Sequence, residues 1–405
     1  FVGASFSGDI IDGGNNTAGV GDTIDYHLAN NDITLTLAEG SNLTYVKVGT
    51  TLSDHTLVAI ENIIGSNSAV GDQITGNSGK NTILGMDGND TIDGGAGADY
   101  LDGGSGTNTL SFASFSSTGS VKVNLDTNNL YGINKNSTSD GDTVLNFTNI
   151  IGSDYVNSGD TLIGDSSNNK IYGMAGDDVI AGGMGADELL GGDGNDRFIL
   201  GFADGADIVT GGEGSHDIAD YSSLGVGQNL TVTLDTSTAV SVTVLGTSEK
   251  DTIAGVENVY GGAGSDHIIG DGLKNELRGN AGNDILDGGV DDDTLYGGAG
   301  ADQLIGGVGH DTLIGGEDYK LTFTAGQTSY SFTINSLNIT ASVLATDDLA
   351  TIASKIITQF NNTTGASDIA YITKDASNNI IVSTWDNPAP TVAAGTNMVL
   401  STDTD

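Results

Sequence analysis

Gly85-Met86-Asp87-Gly88-Asn89-Asp90-Thr91-Ile92-Asp93 runs without a gap into Gly94-Gly95-Ala96-Gly97-Ala98-Asp99-Tyr100-Leu101-Asp102. Both stretches keep glycine at the first and fourth of nine positions, aspartate at the sixth and an aliphatic at the eighth. The same beat returns from Gly173 to Ile199 and from Gly261 to Ile314. Ile74, Ile83, Ile92, Leu101 and Leu110 follow one another at a spacing of nine. A fixed short period of this kind marks a solenoid, in which each repeat packs only on its neighbours.

The positions divide the work. Glycines at the first, second and fourth positions let the backbone take turns closed to other residues and aim carbonyls inward. The sixth-position aspartate adds charge, and the eighth-position aliphatic, on a short strand, points into the core. Coils about 4.8 Å apart would stack these carboxylates in repulsive register. One aliphatic per repeat makes too thin a core to offset that repulsion. A hard cation that takes six to eight oxygens, carboxylate and carbonyl together, removes it, and Ca²⁺ has that preference.

Composition agrees. The chain of 405 residues holds 63 glycines, 2 prolines and no cysteine, with 54 acidic against 12 basic side chains and a formal charge of −42. Disorder would suit that charge, but the acids recur in phase with 37% apolar content, so a counterion is expected inside the structure. Nucleic acid is excluded as a partner, because a phosphate polymer needs a basic face. Disulfides and thiol catalysis are absent with the cysteines. No apolar run approaches bilayer length, so no transmembrane segment is expected. Phe1-Val2-Gly3 lacks the basic stretch and apolar core of a signal peptide, and without an initiator Met a processed chain or a fragment is expected.

Larger modules sit above the nonapeptides. Each opens on a turn leading to an aromatic: Asp22 to Tyr26, Asn108 to Phe112, and Asp217 to Tyr221. Alternating segments follow, namely Ile33/Leu35/Leu37, Val121/Val123/Leu125, and Leu230/Val232/Leu234 with Val240/Val242/Val244. Period two with β-branched residues predicts half-buried strands. Each module then reaches a landmark, Ile60-Glu61-Asn62-Ile63, Phe147-Thr148-Asn149-Ile150 or Val256-Glu257-Asn258-Val259, before its repeats. The division predicted is a partial cap at 1–21, modules at 22–110, 111–216 and 217–316, and a small α+β domain at 317–405. In that last domain Leu321–Phe323 and Tyr330–Ile334 are predicted to form a hairpin. Thr346 caps an amphipathic helix over 347–361, and Ala370–Ile372 and Ile380–Val382 form a second hairpin.

The nonapeptide resembles the calcium-binding repeat of the RTX family, the haemolysin-type repeat proteins. The resemblance covers about half the chain, with the intervening strands similar to RTX spacers. It implies a mainly β fold, a parallel β-roll in which two nonapeptides make one coil and each Ca²⁺ sits between turns two repeats apart. Carried over, it pairs Asp72 with Asp90, Asn81 with Asp99, and Asp90 with Asn108. In the second block it pairs Asp160 with Asp178, Asn169 with Asp187, and Asp178 with Asp196. In the third it pairs Asp266 with Asp284, Asn275 with Asp293, Asp284 with Asp302, and Asp293 with Asp311. Asp9, Asp22 and Asp207 stand in degenerate repeats outside that set. The uncharged Asn81, Asn108, Asn169 and Asn275 should make weaker, carbonyl-dominated sites. Asp291, standing where the fourth glycine belongs, must adopt a left-handed backbone.

Competing motifs fail on chemistry. No Gly-Lys-Ser/Thr accompanies the glycine doublets, and neither His-Glu-x-x-His nor Gly-x-Ser-x-Gly occurs. His27, His55, His216, His267 and His310 are scattered, so no catalytic residue is expected. The resemblance implies a secreted, extracellular or cell-surface protein exported by a type I system, although Leu400 to Asp405 is no clear export signal. Two roles follow: a Ca²⁺-dependent surface-layer, filament or extracellular-matrix protein, or the non-catalytic repeat region of a larger secreted enzyme, cytolysin or adhesin. The partners expected are Ca²⁺ and further copies of the chain, with cell-surface polysaccharide as a further candidate.

Overall fold

In the computed structural model the eighth-position aliphatics of the first block sit at the centres of three-residue strands, and successive repeats alternate between two sheets. Gln73–Thr75, Thr91–Asp93 and Thr109–Ser111 pair in parallel, with Ile74 opposite Ile92 and Ile92 opposite Leu110. Thr82–Leu84 and Tyr100–Asp102 pair in parallel on the other sheet, with Ile83 opposite Leu101. Two repeats therefore make one coil of the β-roll. Ile83, Ile92, Leu101 and Leu110 are all 0% exposed, as the pleat requires of residues flanked by outward positions. Burying one such side chain contributes about 1.5–3 kcal/mol, which is little for nine residues of ordered backbone.

The structure describes residues 10–14, 21–37, 44–49, 51–114, 119–126 and 141–315, together with 318–323, 329–334, 337–342, 370–374, 380–384, 391–395 and 398–401. The chain forms two compact units, Phe1–Arg197 and Phe198–Asp405. All regular structure among the described residues is strand, so no helix there is long and apolar enough to cross a membrane.

In the first unit one sheet stacks Ile33–Thr36, Gln73–Thr75, Thr91–Asp93, Thr109–Ser111, Asn149–Ile151, Lys170–Ala175 and Glu188–Asp193. Thr23–Asp25, Asn62–Ile64, Thr82–Leu84, Tyr100–Asp102 and Thr143–Leu145 make a second. Lys122–Asn124, Thr161–Ile163 and Val179–Ala181 belong to a third. The spacers do not interrupt this stacking. Thr109 pairs with Asn149 much as it pairs with Thr91, so the sheet continues from the first block of repeats into the second. The spacer strands bury the alternating residues as predicted: Ile33, Leu35 and Leu37, then Val121, Val123 and Leu125.

The second unit repeats the plan. Asn258–Tyr260, Glu276–Ala281, Thr294–Ala299 and His310–Ile314 stack in parallel on one sheet. Leu230–Thr233, His267–Ile269, Ile285–Asp287 and Gln303–Ile305 stack on another. At the last coil the direction changes: Thr391–Gly395 adds antiparallel to His310–Ile314, and Met398–Ser401 adds antiparallel to Gln303–Ile305. A final coil with bare sheet edges invites edge-to-edge growth, and these strands cover both.

That demand corrects one expectation. The strands Asp318–Phe323 and Ser329–Ile334 both form, but not as a hairpin. The first pairs with Ile380–Thr384 and Met398–Ser401, the second with Leu337–Ser342 and Thr391–Gly395. Each extends the cover of a different sheet, so the edges at the roll's end override the short local connection. The hairpin of Ala370–Lys374 with Ile380–Thr384 forms as expected. The helix predicted over 347–361 lies outside the described residues.

Candidate metal centre

Each sixth-position side chain reaches from its own turn to the backbone of the preceding coil. The amide of Asp72 donates to Asp90 Oδ1 at 2.7 Å, that of Asn81 to Asp99 Oδ1 at 2.8 Å, and that of Asp90 to Asn108 Oδ1 at 2.9 Å. Asp160, Asn169 and Asp178 donate in the same way to Asp178, Asp187 and Asp196. Asp266, Asn275, Asp284 and Asp293 donate to Asp284, Asp293, Asp302 and Asp311. The structure thus brings together every pair that the resemblance implied. Their carboxylates do not meet face to face, because each Oδ1 is already satisfied by a backbone N–H.

The second carboxylate oxygen is the exception. Oδ2 of Asp90, Asp178, Asp284 and Asp293 is buried and accepts no hydrogen bond, and the same holds for Asp22. A buried acceptor left unmade costs about 1–3 kcal/mol, more when charged. Close to Oδ2 of Asp90, Asp178, Asp284 and Asp293 a glycine carbonyl arrives from the following coil. The position of a Cβ on Gly85 would meet Asp90 Oδ2 and stand 2.6 Å from Gly103 O. Gly173 relates likewise to Asp178 Oδ2 and Gly191 O, Gly279 to Asp284 Oδ2 and Gly297 O, and Gly288 to Asp293 Oδ2 and Gly306 O. Among the described residues no three carboxylate or imidazole side chains gather at one point. A cation held here therefore draws most of its ligands from the backbone, an all-oxygen mixture of the kind Ca²⁺ takes.

The first-position glycine is thus required by space, and the second by conformation. Met86, Met174 and Asn280 stand at second positions with φ of 80°, 80° and 70°, and Asp291 at a fourth position with φ of 85°. The left-handed backbone expected of Asp291 is present. Gly85→Ala should destabilise the Ca²⁺-loaded protein by about 1–3 kcal/mol through overpacking. Met86→Gly should stabilise it by up to about 1 kcal/mol, since relief of left-handed strain exceeds the added chain entropy. Denaturant midpoints in millimolar Ca²⁺ check both; equal midpoints for Gly85→Ala and the parent chain would contradict the close approach.

Burial dominates the electrostatics. It pushes the carboxyl of Asp178 up to about 8, helped by Asp160 and Asp196. It pushes those of Asp90, Asp284 and Asp293 up to about 7 and that of Asp196 to about 6, with neighbouring carboxylates adding to the rise. Ionising such groups together is costly unless a positive charge joins them.

Four members of this ladder carry too little of the pattern to be singled out from sequence. Asp142 Oδ1 accepts from the amide of Asp99 and Asp251 Oδ1 from that of Asp207. Glu61 Oε2 accepts from the amide of Asp22 and Glu257 Oε2 from that of Asp217. Asp142-Thr143-Val144 and Asp251-Thr252-Ile253 copy Asp90-Thr91-Ile92, a signal obscured because Asp140 and Glu249 stand where the fourth glycine belongs. Asp251 Oδ2 accepts from the buried phenol of Tyr221 at 2.9 Å. Asp9 lies outside the described residues.

A family profile described as the RTX calcium-binding nonapeptide repeat (four copies) matches residues 75–110, 154–189, 163–198, 182–215, 251–272, 269–304 and 278–313. No curated protein matches the chain.

Proposed function

Since this chain carries RTX calcium-binding nonapeptide repeats and takes several Ca²⁺ ions in them, we propose that it is an extracellular structural protein that folds on Ca²⁺ and assembles into a surface layer, filament or matrix. The observation that carries the Ca²⁺-coupled folding is the row of buried carboxylate oxygens without protein donors at Asp90, Asp178, Asp284 and Asp293. Those oxygens, with the carbonyls of Gly103, Gly191, Gly297 and Gly306, would hold the ions. When bound, Ca²⁺ supplies positive charge and oxygen coordination between successive coils. The chain's own residues supply the turns, the ladder and the aliphatic column.

Low Ca²⁺ inside a cell and millimolar Ca²⁺ outside would keep such a chain unfolded until export, which fits the type I route of its family. Assembly is supported by the second unit's sheet edges. Leu337–Ser342 and Ala370–Lys374 end its two long sheets among the described residues, and an edge strand is a template for another chain. Bound Ca²⁺ also lowers the mutual repulsion of chains that carry −42 each. No catalytic role is assigned. Light scattering and electron microscopy in millimolar Ca²⁺ should show sheets or filaments, impaired by deleting 320–405. A full-length chain that stays monomeric across a wide concentration range would sink the assembly reading.

A further inference from the structure

Two kinds of turn occur in the rolls, and they differ at the residue that follows the leading glycine. In the turns of Asp90, Asp178, Asp284 and Asp293 that residue is Met86, Met174, Asn280 or Gly289, with φ of 80°, 80°, 70° and 99°. Its N–H does not donate to the carboxylate, and Oδ2 is left without a donor. These turns are open.

In the turns of Asp72, Asp160 and Asp266 that residue is Ser66, Ser153 or Gly262, six, seven and four residues before the aspartate, and none is left-handed. Its N–H donates to the aspartate Oδ2 at 2.6, 2.6 and 2.8 Å. Ser66 and Ser153 add a hydroxyl donor to Oδ1. The same Oδ1 atoms also accept from the amides of Ile33 and Val121, and Asp266 Oδ1 accepts from Leu230. Each carboxylate is saturated by protein donors, and an N–H occupies the side a cation would approach. Glycine carbonyls converge at Gly65 and Gly152 as they do elsewhere, but on a carboxylate already taken.

The next turn of each block closes around an amide. The N–H groups of Asn77, Asp165 and Asp271 donate to Oδ1 of Asn81, Asn169 and Asn275 at 2.9, 2.8 and 2.8 Å. The Nδ2 of each asparagine donates to a carbonyl of the preceding coil, that of Glu61, Thr148 or Glu257. There the amide makes the link between coils that an ion makes in an open turn. In all three blocks the two closed turns come first, directly after a spacer.

We propose that each block opens on one ion-free coil, closed by its own donors at Asp72/Asn81, Asp160/Asn169 and Asp266/Asn275, and that Ca²⁺ binding starts only at Asp90, Asp178 and Asp284. The proposal rests on the Ca²⁺-binding reading and removes six of the sixteen expected ligands from it. Its value to the roll is preorganisation: after each spacer, a coil whose shape does not wait for an ion gives the first ion a formed lower wall, which lowers the ordering cost of binding.

The test is the number of Ca²⁺ ions bound to the full chain, by equilibrium dialysis against CaCl₂ with metal analysis. The triple variant Asp72→Asn, Asp160→Asn and Asp266→Asn should bind as many ions as the parent chain. Asp90→Asn, Asp178→Asn and Asp284→Asn together should lose at least three. Loss of three ions from the first triple overturns the proposal. Should that triple fail to fold, Asn81→Asp, Asn169→Asp and Asn275→Asp together decide it. An unchanged ion count supports the closed turns, and a gain of ions overturns them. A parent chain that binds no Ca²⁺ would refute the Ca²⁺-binding reading itself, an outcome separate from either.

Discussion

Chelation of Ca²⁺ with excess EDTA at pH 8 should abolish the β-sheet circular dichroism of residues 65–316, and returning millimolar Ca²⁺ should restore it. Extracellular Ca²⁺ sites bind at roughly 10⁻⁴–10⁻³ M. With free ion about ten to a hundred times above that constant, each independent site stabilises by about 1.4–2.7 kcal/mol. Several such sites together match or exceed the roughly 5–15 kcal/mol net stability of an ordinary domain. The repeats have little else to rely on, given one buried aliphatic for every nine residues and a row of buried, charged oxygens. Asp284→Ala should do more damage than Asn108→Ala. Asp284 Oδ1 accepts from Asp266, its amide donates to Asp302, and its Oδ2 has no protein donor. Asn108 instead donates through Nδ2 to Asn146 O at 3.0 Å, making its own link between coils. An unchanged spectrum in EDTA after time for exchange would defeat this expectation.

Protons should substitute in part for the missing ions. In the cation-free chain the folded-state carboxyls of Asp90, Asp284 and Asp293 stand at about 7 and that of Asp178 at about 8, against about 3.9 for an unfolded aspartate. A raised folded-state value means that the folded chain binds protons more tightly than the unfolded one. The resulting stability is fully present below about pH 3.9 and is lost as pH rises through about 7 to 8. Acidifying the EDTA-treated chain from pH 8 to about 5 should therefore recover part of the β signal without any metal. In Ca²⁺ the linkage runs the other way: binding releases protons, so the stability gained from Ca²⁺ should be largest near pH 8 and shrink toward pH 5. Denaturant titrations at the two pH values, each with Ca²⁺ and with EDTA, give all four corners. A metal-free chain that loses structure on acidification would show that the carboxylates are not buried as described.

What the sequence by itself determined is what repeats locally. Glycine at the first position, aspartate or asparagine at the sixth and an aliphatic at the eighth specify turn, ladder and core within nine residues. The period follows from counting, while the coil of two repeats and the pairing of Asp90 with Asn108 are what the RTX resemblance implied. The alternating spacer strands were legible for the same reason, since Ile33, Leu35 and Leu37 carry their burial in a period of two. Only the tertiary structure decided matters that depend on what lies a coil away. Asp142 and Asp251 join the ladder although Asp140 and Glu249 replace the fourth glycine of their turns, because each is stacked on the coil that carries Asp99 or Asp207. Ser66 and Met86 each follow the leading glycine of a turn, yet the N–H of Ser66 donates to Asp72 Oδ2 while Asp90 Oδ2 has no donor. Backbone handedness separates the two, left-handed at Met86 and not at Ser66, and the turn before Asp72 is also two residues longer than the one before Asp90. Asp318–Phe323 and Ser329–Ile334 part company for a related reason: each finds its partner in the strand that covers a different sheet edge, Met398–Ser401 or Thr391–Gly395, and not in its neighbour along the chain.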